Sequence, residues 1–236
     1  MSLTANSIVG SLVAEDYKTA SVFKQFGIDF CCNGHRSIAD ACSAAGADET
    51  AVLDALKNVA KSNNNAQTDY NHWPLDLLAD YIEKKHHRYV RTTIETLTPF
   101  LQKIANVHGD RHPELLEAEQ LFQESADELM MHMHKEEKIL FPYIRQMVAN
   151  NGQAGTPGFG SIQNPIRVMM HEHDNEGERF RKIAALTQNY QPPADACNTY
   201  TVTLAMLKEF EEDLHLHIHL ENNILFPKSI AMEQGE

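Results

Sequence analysis

The sequence predicts an all-α protein, a small N-terminal helical domain followed by a four-helix bundle. Three observations carry this. Beyond residue 70, four long segments repeat apolar residues at a 3.6-residue period, no stretch sustains strand-like alternation, and a histidine-bearing motif recurs at a constant offset of 85 residues. A chain of 236 residues suits one large domain with a small companion, at roughly 150 residues per domain.

The small domain, residues 1–61, reads as a few short helices. Ala20, Val22, Phe23 and Phe26 fall at helical spacing between Tyr17 and Phe26, and Gly27 stops the run. Asp48 caps a last helix that reaches about Ala60. Between them, Asp29-Phe30-Cys31-Cys32-Asn33-Gly34-His35 is a turn by its Asn-Gly pair. The Asn-rich stretch 62–69 is a linker, and residues 70–236 form the bundle. Its first helix opens with Pro74 and runs to about Val107, and its second runs from near Pro113 to about Ala149. A Gly/Pro loop follows, then Asn164-Pro165 starts a third helix ending near Asn189. Pro192-Pro193 precede the fourth, about Ala194 to Ile230. Four such helices, each with one apolar stripe turned inward, make a bundle of ordinary size.

Composition narrows the function. A net charge of −13, from 33 acidic against 20 basic residues, repels phosphate backbones and anionic lipid, so neither nucleic acid nor a membrane surface is an expected partner. No apolar run has the length of a membrane span and the N-terminus lacks the order of a signal peptide, so the expected location is cytoplasmic. Four Cys make no disulfide scaffold. Of the 13 His, nine fall in four tight clusters, at 86–87, 132–134, 171–173 and 215–219.

Each helical step turns about 100°, so residues three, four and seven apart share a face and residues two apart lie nearly opposite. On the first helix His86 joins the stripe of Leu75, Leu78 and Ile82, and His87 is turned aside. On the second, His132 and Glu136 face inward with Leu129 and Leu140, and His134 points out. The third selects His173, with Ile166 and Phe180, and rejects His171. The fourth turns His217 and Glu221 inward with Leu214 and Leu225, and His215 and His219 outward.

A lone His on an apolar stripe is usually a hydrogen-bonded core residue, but two inward Glu change the balance. An uncompensated buried carboxylate is expensive, and no Lys or Arg lies on these stripes to pair with it. A bound cation resolves the cost. Six ligands exceed one tetrahedral zinc and suit two metals, each held by two His and bridged by the Glu carboxylates, with positions left for oxo, hydroxo or a small diatomic. Rival patterns fit less well. Glu83-Lys84-Lys85-His86 and Glu212-Asp213-Leu214-His215 have the letters of a ferritin-type Glu-x-x-His site, but Glu212 and His215 fall off the stripe. His-Glu-x-x-His, a Gly-rich phosphate loop and an elbow-type serine are all missing, which removes zinc protease, kinase, dehydrogenase and hydrolase readings.

These residues resemble the bacterial iron–sulfur cluster repair di-iron proteins, the Repair of Iron Centers family, over nearly the whole chain. Phe30-Cys31-Cys32-Asn33-Gly34 is similar to the Cys-Cys turn of that family's small ScdA-type domain. His132-x-x-x-Glu136 with Ile139-Leu140-Phe141-Pro142, Glu172-His173-Asp174, and His217-x-x-x-Glu221-Asn222-Asn223 with Leu225-Phe226-Pro227 are similar to its haemerythrin-type ligand motifs. His86, with His87 beside it, stands at the family's first ligand. The resemblance implies a haemerythrin-like bundle with a non-haem di-iron centre, two irons joined by an oxo or hydroxo bridge, on His86, His132, Glu136, His173, His217 and Glu221. It implies repair of iron–sulfur clusters damaged by nitric oxide or peroxide, by iron donation or with nitric oxide reductase-type chemistry. Damaged iron–sulfur proteins would be the partners and nitric oxide and O2 the small ligands, and a homodimer is allowed. Oxygen-carrying haemerythrins use five His, one Glu and an Asp in His-x-x-x-x-Asp spacing; here Asn222 holds that fifth position and Glu221 takes the carboxylate role. One fewer His leaves more open coordination, which suits reaction at iron better than O2 carriage. The alternative is a haemerythrin-like O2 or nitric oxide sensor, or an iron store.

Cys31 and Cys32 are the expected catalytic pair. A disulfide between neighbours is strained and easily reduced, so the pair would deliver electrons to, or accept iron from, the bundle once the small domain docks, with His35 as a helper. Cys42 and Cys197 read as small core residues on helical stretches. The outward His134, His171, His215 and His219 read as a solvated face rather than a surface relay for iron.

Overall fold

The computed structural model describes residues 3–61, 68–152, 155 and 157–235, so the expected linker lies outside the described residues except for Thr68 and Asp69. Among the described residues eight helices follow in order. The small domain contains α1 (Val9–Glu15), α2 (Thr19–Gln25), α3 (Ile38–Ala45) and α4 (Glu49–Lys61). Ser37 caps α3 by accepting the Asp40 N–H, and Gly46 ends it at φ 65°. After a 3-10 turn, Tyr70–His72, the bundle consists of α5 (residues 75–108), α6 (114–149), α7 (Gln163–Leu186) and α8 (198–234). Among the described residues there is no strand, only an isolated bridge between Ile8 and Ser37.

Helices α7 and α8 are shorter at their facing ends than their periodicity predicts. Gln188, Asn189 and Tyr190 all take positive φ, which ends α7 at Leu186, and α8 begins only at Asn198, after an extended Cys197. Cys197 is therefore exposed rather than in the core, while Cys42 is buried.

Three of the bundle helices are not uniform. A π turn interrupts α5 at Ile82–His87, α6 at Glu136–Leu140 and α8 at Glu221–Leu225. The second and third run directly into Phe141-Pro142 and Phe226-Pro227. Proline has no N–H to bond and its ring crowds the carbonyl four residues back, and a widened turn relieves that clash. The repeat therefore extends to backbone shape. The turn in α5 has no proline directly after it, and Pro99 stands about three turns further on.

Buried apolar residues form two clusters. One unites the small domain with the far half of the bundle, through Phe23, Phe30, Leu97, Phe122, Phe180 and Phe210. The other closes the near end, through Leu78, Ile82, Phe141, Ile166, Leu225 and Phe226. The small domain docks through α8: Asn223 donates from Nδ2 to the carbonyls of Phe30 and Cys31, at 3.2 and 3.3 Å. Glycines make this approach feasible, since a Cβ on Gly10 or Gly34 would stand 2.2 or 2.5 Å from Asn223 Oδ1.

Candidate metal centre

Between the two apolar clusters lies a polar layer. His87 from α5, His132 and Glu136 from α6, His173 from α7, and His217 and Glu221 from α8 are all buried. They form two groups whose donor atoms lie within 4.8 Å of one another: His87, Glu136, His217 and Glu221; and His132, Glu136, His173 and Glu221. Both glutamates belong to both groups. Each group thus offers two imidazoles and a share in two carboxylates, the arrangement of a two-metal site with bridging Glu.

The distances are short. Glu136 Oε2 lies 3.3 Å from both His87 Nε2 and His132 Nε2. Glu221 lies 3.2 Å from His173 Nε2 through Oε2 and 3.2 Å from His217 Nε2 through Oε1. Both Glu136 oxygens, Glu221 Oε2 and His87 Nε2 are nevertheless buried without a hydrogen bond. Leaving such atoms unsatisfied is costly, and a divalent cation among them meets all of them at once. The residues fit a metal pair.

Outer contacts set the rings. His87 Nδ1 faces Glu137 Oε1 at 2.8 Å, and Arg91 also holds Glu137. His132 Nδ1 faces Glu172 Oε2 at 2.8 Å, with Lys135 on the other Glu172 oxygen. His173 Nδ1 faces Asn222 Oδ1 at 2.8 Å, so the ring carries its proton on Nδ1 and turns the Nε2 lone pair to the layer. Electrostatics agree with the geometry. Burial pulls His132 down, but the Glu136 carboxylate outweighs it and holds the imidazole at about 10; His87 is held at about 9 against burial by Glu136 and Glu137. Burial pushes both Glu136 and Glu221 up, and the Glu221 charge adds to this at Glu136, yet the adjacent imidazoles still bring both below the ordinary carboxylate range. Protons on His87 and His132 compensate the buried carboxylate charge, and cation binding would displace them.

Five of the six residues expected from the helical wheel lie in these groups, and His86 does not. The structure buries both members of the His86-His87 pair, and the nitrogen that reaches Glu136 belongs to His87. His86 Nδ1 instead faces Asp213 Oδ2 at 3.0 Å, and its ring stacks on His217. The cause is the π turn over Ile82–His87, which inserts one extra residue into the turn between Ile82 and the layer. Two other expectations need correction. His215 and His219 point away from the bundle core yet are not on a solvated face, because Phe30 of the small domain covers both at ring distances near 6 Å (6.1 and 6.0 Å). Burial holds them neutral, at about 4 for His215 and about 3 for His219. Only His134 and His171 of that group are exposed. Glu83 pairs with Arg145 and Glu212 with Lys24, so neither reaches the layer.

Cys31 and Cys32 are buried free thiols with Sγ atoms 3.7 Å apart. Cys32 Sγ donates to the carbonyl of His173 at 3.3 Å, and Asn222 Nδ2 donates to the Cys31 carbonyl at 3.2 Å. Asn222 therefore joins the Cys-Cys turn to a ring of the polar layer. Helical spacing alone does not single it out; its place next to Glu221, where carriers of O2 have an aspartate, does. His35 is exposed.

Comparison with known proteins agrees with this architecture. Residues 78–229 match the family model of the hemerythrin HHE cation binding domain, and residues 5–60 match the ScdA_N domain, described as of unknown function. The iron–sulfur cluster repair protein ScdA of Staphylococcus epidermidis is 31% identical over 96% of this chain and 99% of its own length. The iron–sulfur cluster repair protein YtfE of Yersinia pseudotuberculosis is 35% identical over 97% of this chain and 98% of its own, and that of Musicola paradisiaca 34% over 95% and 96%. No helix among the described residues is long and apolar enough to cross a membrane.

Proposed function

The chain belongs to the haemerythrin HHE family, in the two-domain form of the iron–sulfur cluster repair proteins, and on that footing we propose that it repairs iron–sulfur clusters damaged by nitrosative or oxidative stress. The observation that carries this reading is the pair of His2Glu2 groups sharing Glu136 and Glu221. His87 and His217 would hold one iron, His132 and His173 the other, and both Glu would bridge them. Two irons there would supply redox equivalents and open positions for nitric oxide or O2. Glu137, Glu172 and Asn222 orient the imidazoles, and the apolar clusters on either side exclude bulk water. A ligand set with two carboxylates and only two imidazoles per ion favours exchange over tight retention, which suits iron donation. Cys31 and Cys32 serve the same reaction as its thiol pair, against the backbone of His173.

Reactivation of an iron–sulfur dehydratase inactivated by nitric oxide or peroxide tests this directly. The wild-type chain is expected to restore activity without added iron, and Glu136→Ala is expected not to. A chain that binds two irons, yet restores no enzyme and consumes no nitric oxide, would be a sensor or store instead.

A further inference from the structure

The turn that carries the two adjacent cysteines gathers a donor set of its own. Asp29, Cys31 and Cys32 bring one donor atom each to within 4.8 Å of one another. The sulfurs stand 3.7 Å apart, and Asp29 Oδ1 lies 3.4 Å from Cys31 Sγ. Two sulfurs held at ~2.3 Å by one tetrahedral ion stand about 3.8 Å apart, and a carboxylate oxygen at ~2.1 Å stands about 3.6 Å from each. The sulfur–sulfur spacing and the Asp29–Cys31 spacing of the turn are both close to these values, and Cys32 Sγ lies within 4.8 Å of the Asp29 ligand atom.

It is also built to hold them. Asp29 Oδ1 accepts the N–H groups of Cys31 and Cys32 at 3.1 and 3.0 Å, which holds the backbone of both cysteines around the carboxylate. Asp29 Oδ2 is fixed by Asn33 Nδ2 and by Arg181 at 2.8 and 3.1 Å. On α7, Gly177 leaves room for the second thiol: a Cβ there would stand 3.1 Å from Cys32 Sγ. Charge closes as well. Two thiolates and one carboxylate sum to three negative charges, and a divalent cation with the Arg181 guanidinium supplies three positive ones. A cleft of about 440 Å³ between the small domain and the bundle, lined by Lys24, Asp29, Cys31, Arg181, Glu211 and His215, gives an ion access to the turn.

We propose that Asp29, Cys31 and Cys32 form a third metal-ion site, for a thiophilic four-coordinate divalent cation, separate from the bundle layer and one Asn222 side chain away from His173. Loading breaks two S–H bonds, forms two metal–sulfur bonds and releases both protons to solvent; no electron moves. Fe(II) as the ion rests on the repair reading above. The site itself rests on the turn alone.

Cobalt(II) added to the metal-free full chain tests it, because thiolate-to-cobalt charge transfer in the near ultraviolet cannot arise from the His and Glu of the bundle. One equivalent of this absorption is expected, kept in a Glu136→Gln, Glu221→Gln chain and lost in Cys31→Ser and Cys32→Ser, each checked by circular dichroism for a folded bundle. Should the serine variants not fold, the Cys42→Ala, Cys197→Ala chain decides: the full band must remain when only Cys31 and Cys32 are left. No band at millimolar cobalt, a band that survives in folded Cys31→Ser, Cys32→Ser, or one that vanishes with Cys42 and Cys197, overturns the site. Cluster repair without the band leaves the repair reading standing and removes this site, and the band without repair does the reverse.

Discussion

The polar layer and the far half of the bundle are built on the same four helices and follow different rules. In the far half the helices run as regular α-helix and meet through Leu97, Leu101, Phe122, Phe180, Leu207 and Phe210, with the rings of Phe122 and Phe180 each 5.5 Å from that of Phe210. In the layer, six ionisable side chains are 3% exposed or less, and three helices widen into π turns at or beside them. Apolar packing needs only that a stripe face inward, and periodicity delivers that. A metal site needs particular atoms at particular points, and a helix reaches them by departing from its period.

Substitution of the two carboxylates shared by both groups should separate the two regions most sharply. In Glu136→Ala or Glu221→Ala, both groups lose a shared ligand, so metal analysis should show about two irons per wild-type chain and almost none in either variant, by the two-metal reading. The far half, which contains no ligand, should keep its helical circular dichroism. A variant that still held one full equivalent would mean that the Glu do not bridge. Phe210→Ala is the converse experiment. Its ring is buried in the far half, and its loss should cost about 3–5 kcal/mol of unfolding free energy. Metal per folded chain should stay unchanged, and a drop would show that the layer leans on that packing.

The same contrast explains what could be read from the residues. The four-helix bundle, the inward face of His132, Glu136, His173, His217 and Glu221, and the Cys-Cys turn all follow from local pattern, because each lies on regular helix, at the first residue of a π turn before the helix has widened, or at an Asn-Gly punctuation. His87 did not follow, since the π turn in front of it has no proline or other local signal to mark it. Nor did the covering of His215 and His219 by Phe30, which depends on where a second domain docks, a long-range property outside any helical wheel. Comparing His87→Ala with His86→Ala sharpens this point. His87→Ala should weaken metal binding by more than the roughly 10–100-fold that an outer partner is worth, and His86→Ala by no more than that. Equal losses would place both imidazoles on the metals and make the extra residue of the turn irrelevant.

The weakest effect is expected where the far half is tied at its surface. His112 lies between Asp195 Oδ1, 3.0 Å from Nε2, and Glu114 Oε1, 3.1 Å from Nδ1, linking the α5–α6 connection to the segment before α8. Only the imidazolium can donate to both oxygens, and the Asp195 carboxylate foremost raises its pKa. A histidine raised in the folded state contributes stability that is complete below its ordinary value of about 6.5 and lost as pH rises through the folded value. Because the pair lies at the surface, solvent screens it and the gain is small. Urea midpoints of wild type and His112→Gln, measured at saturating metal, should therefore differ in mildly acid solution and converge in alkaline solution. Taking the difference cancels the layer's own titration, which both chains share. If the difference instead vanished when metal was removed, the surface tie and the layer would be one cooperative unit, and the independence of the two halves would fail.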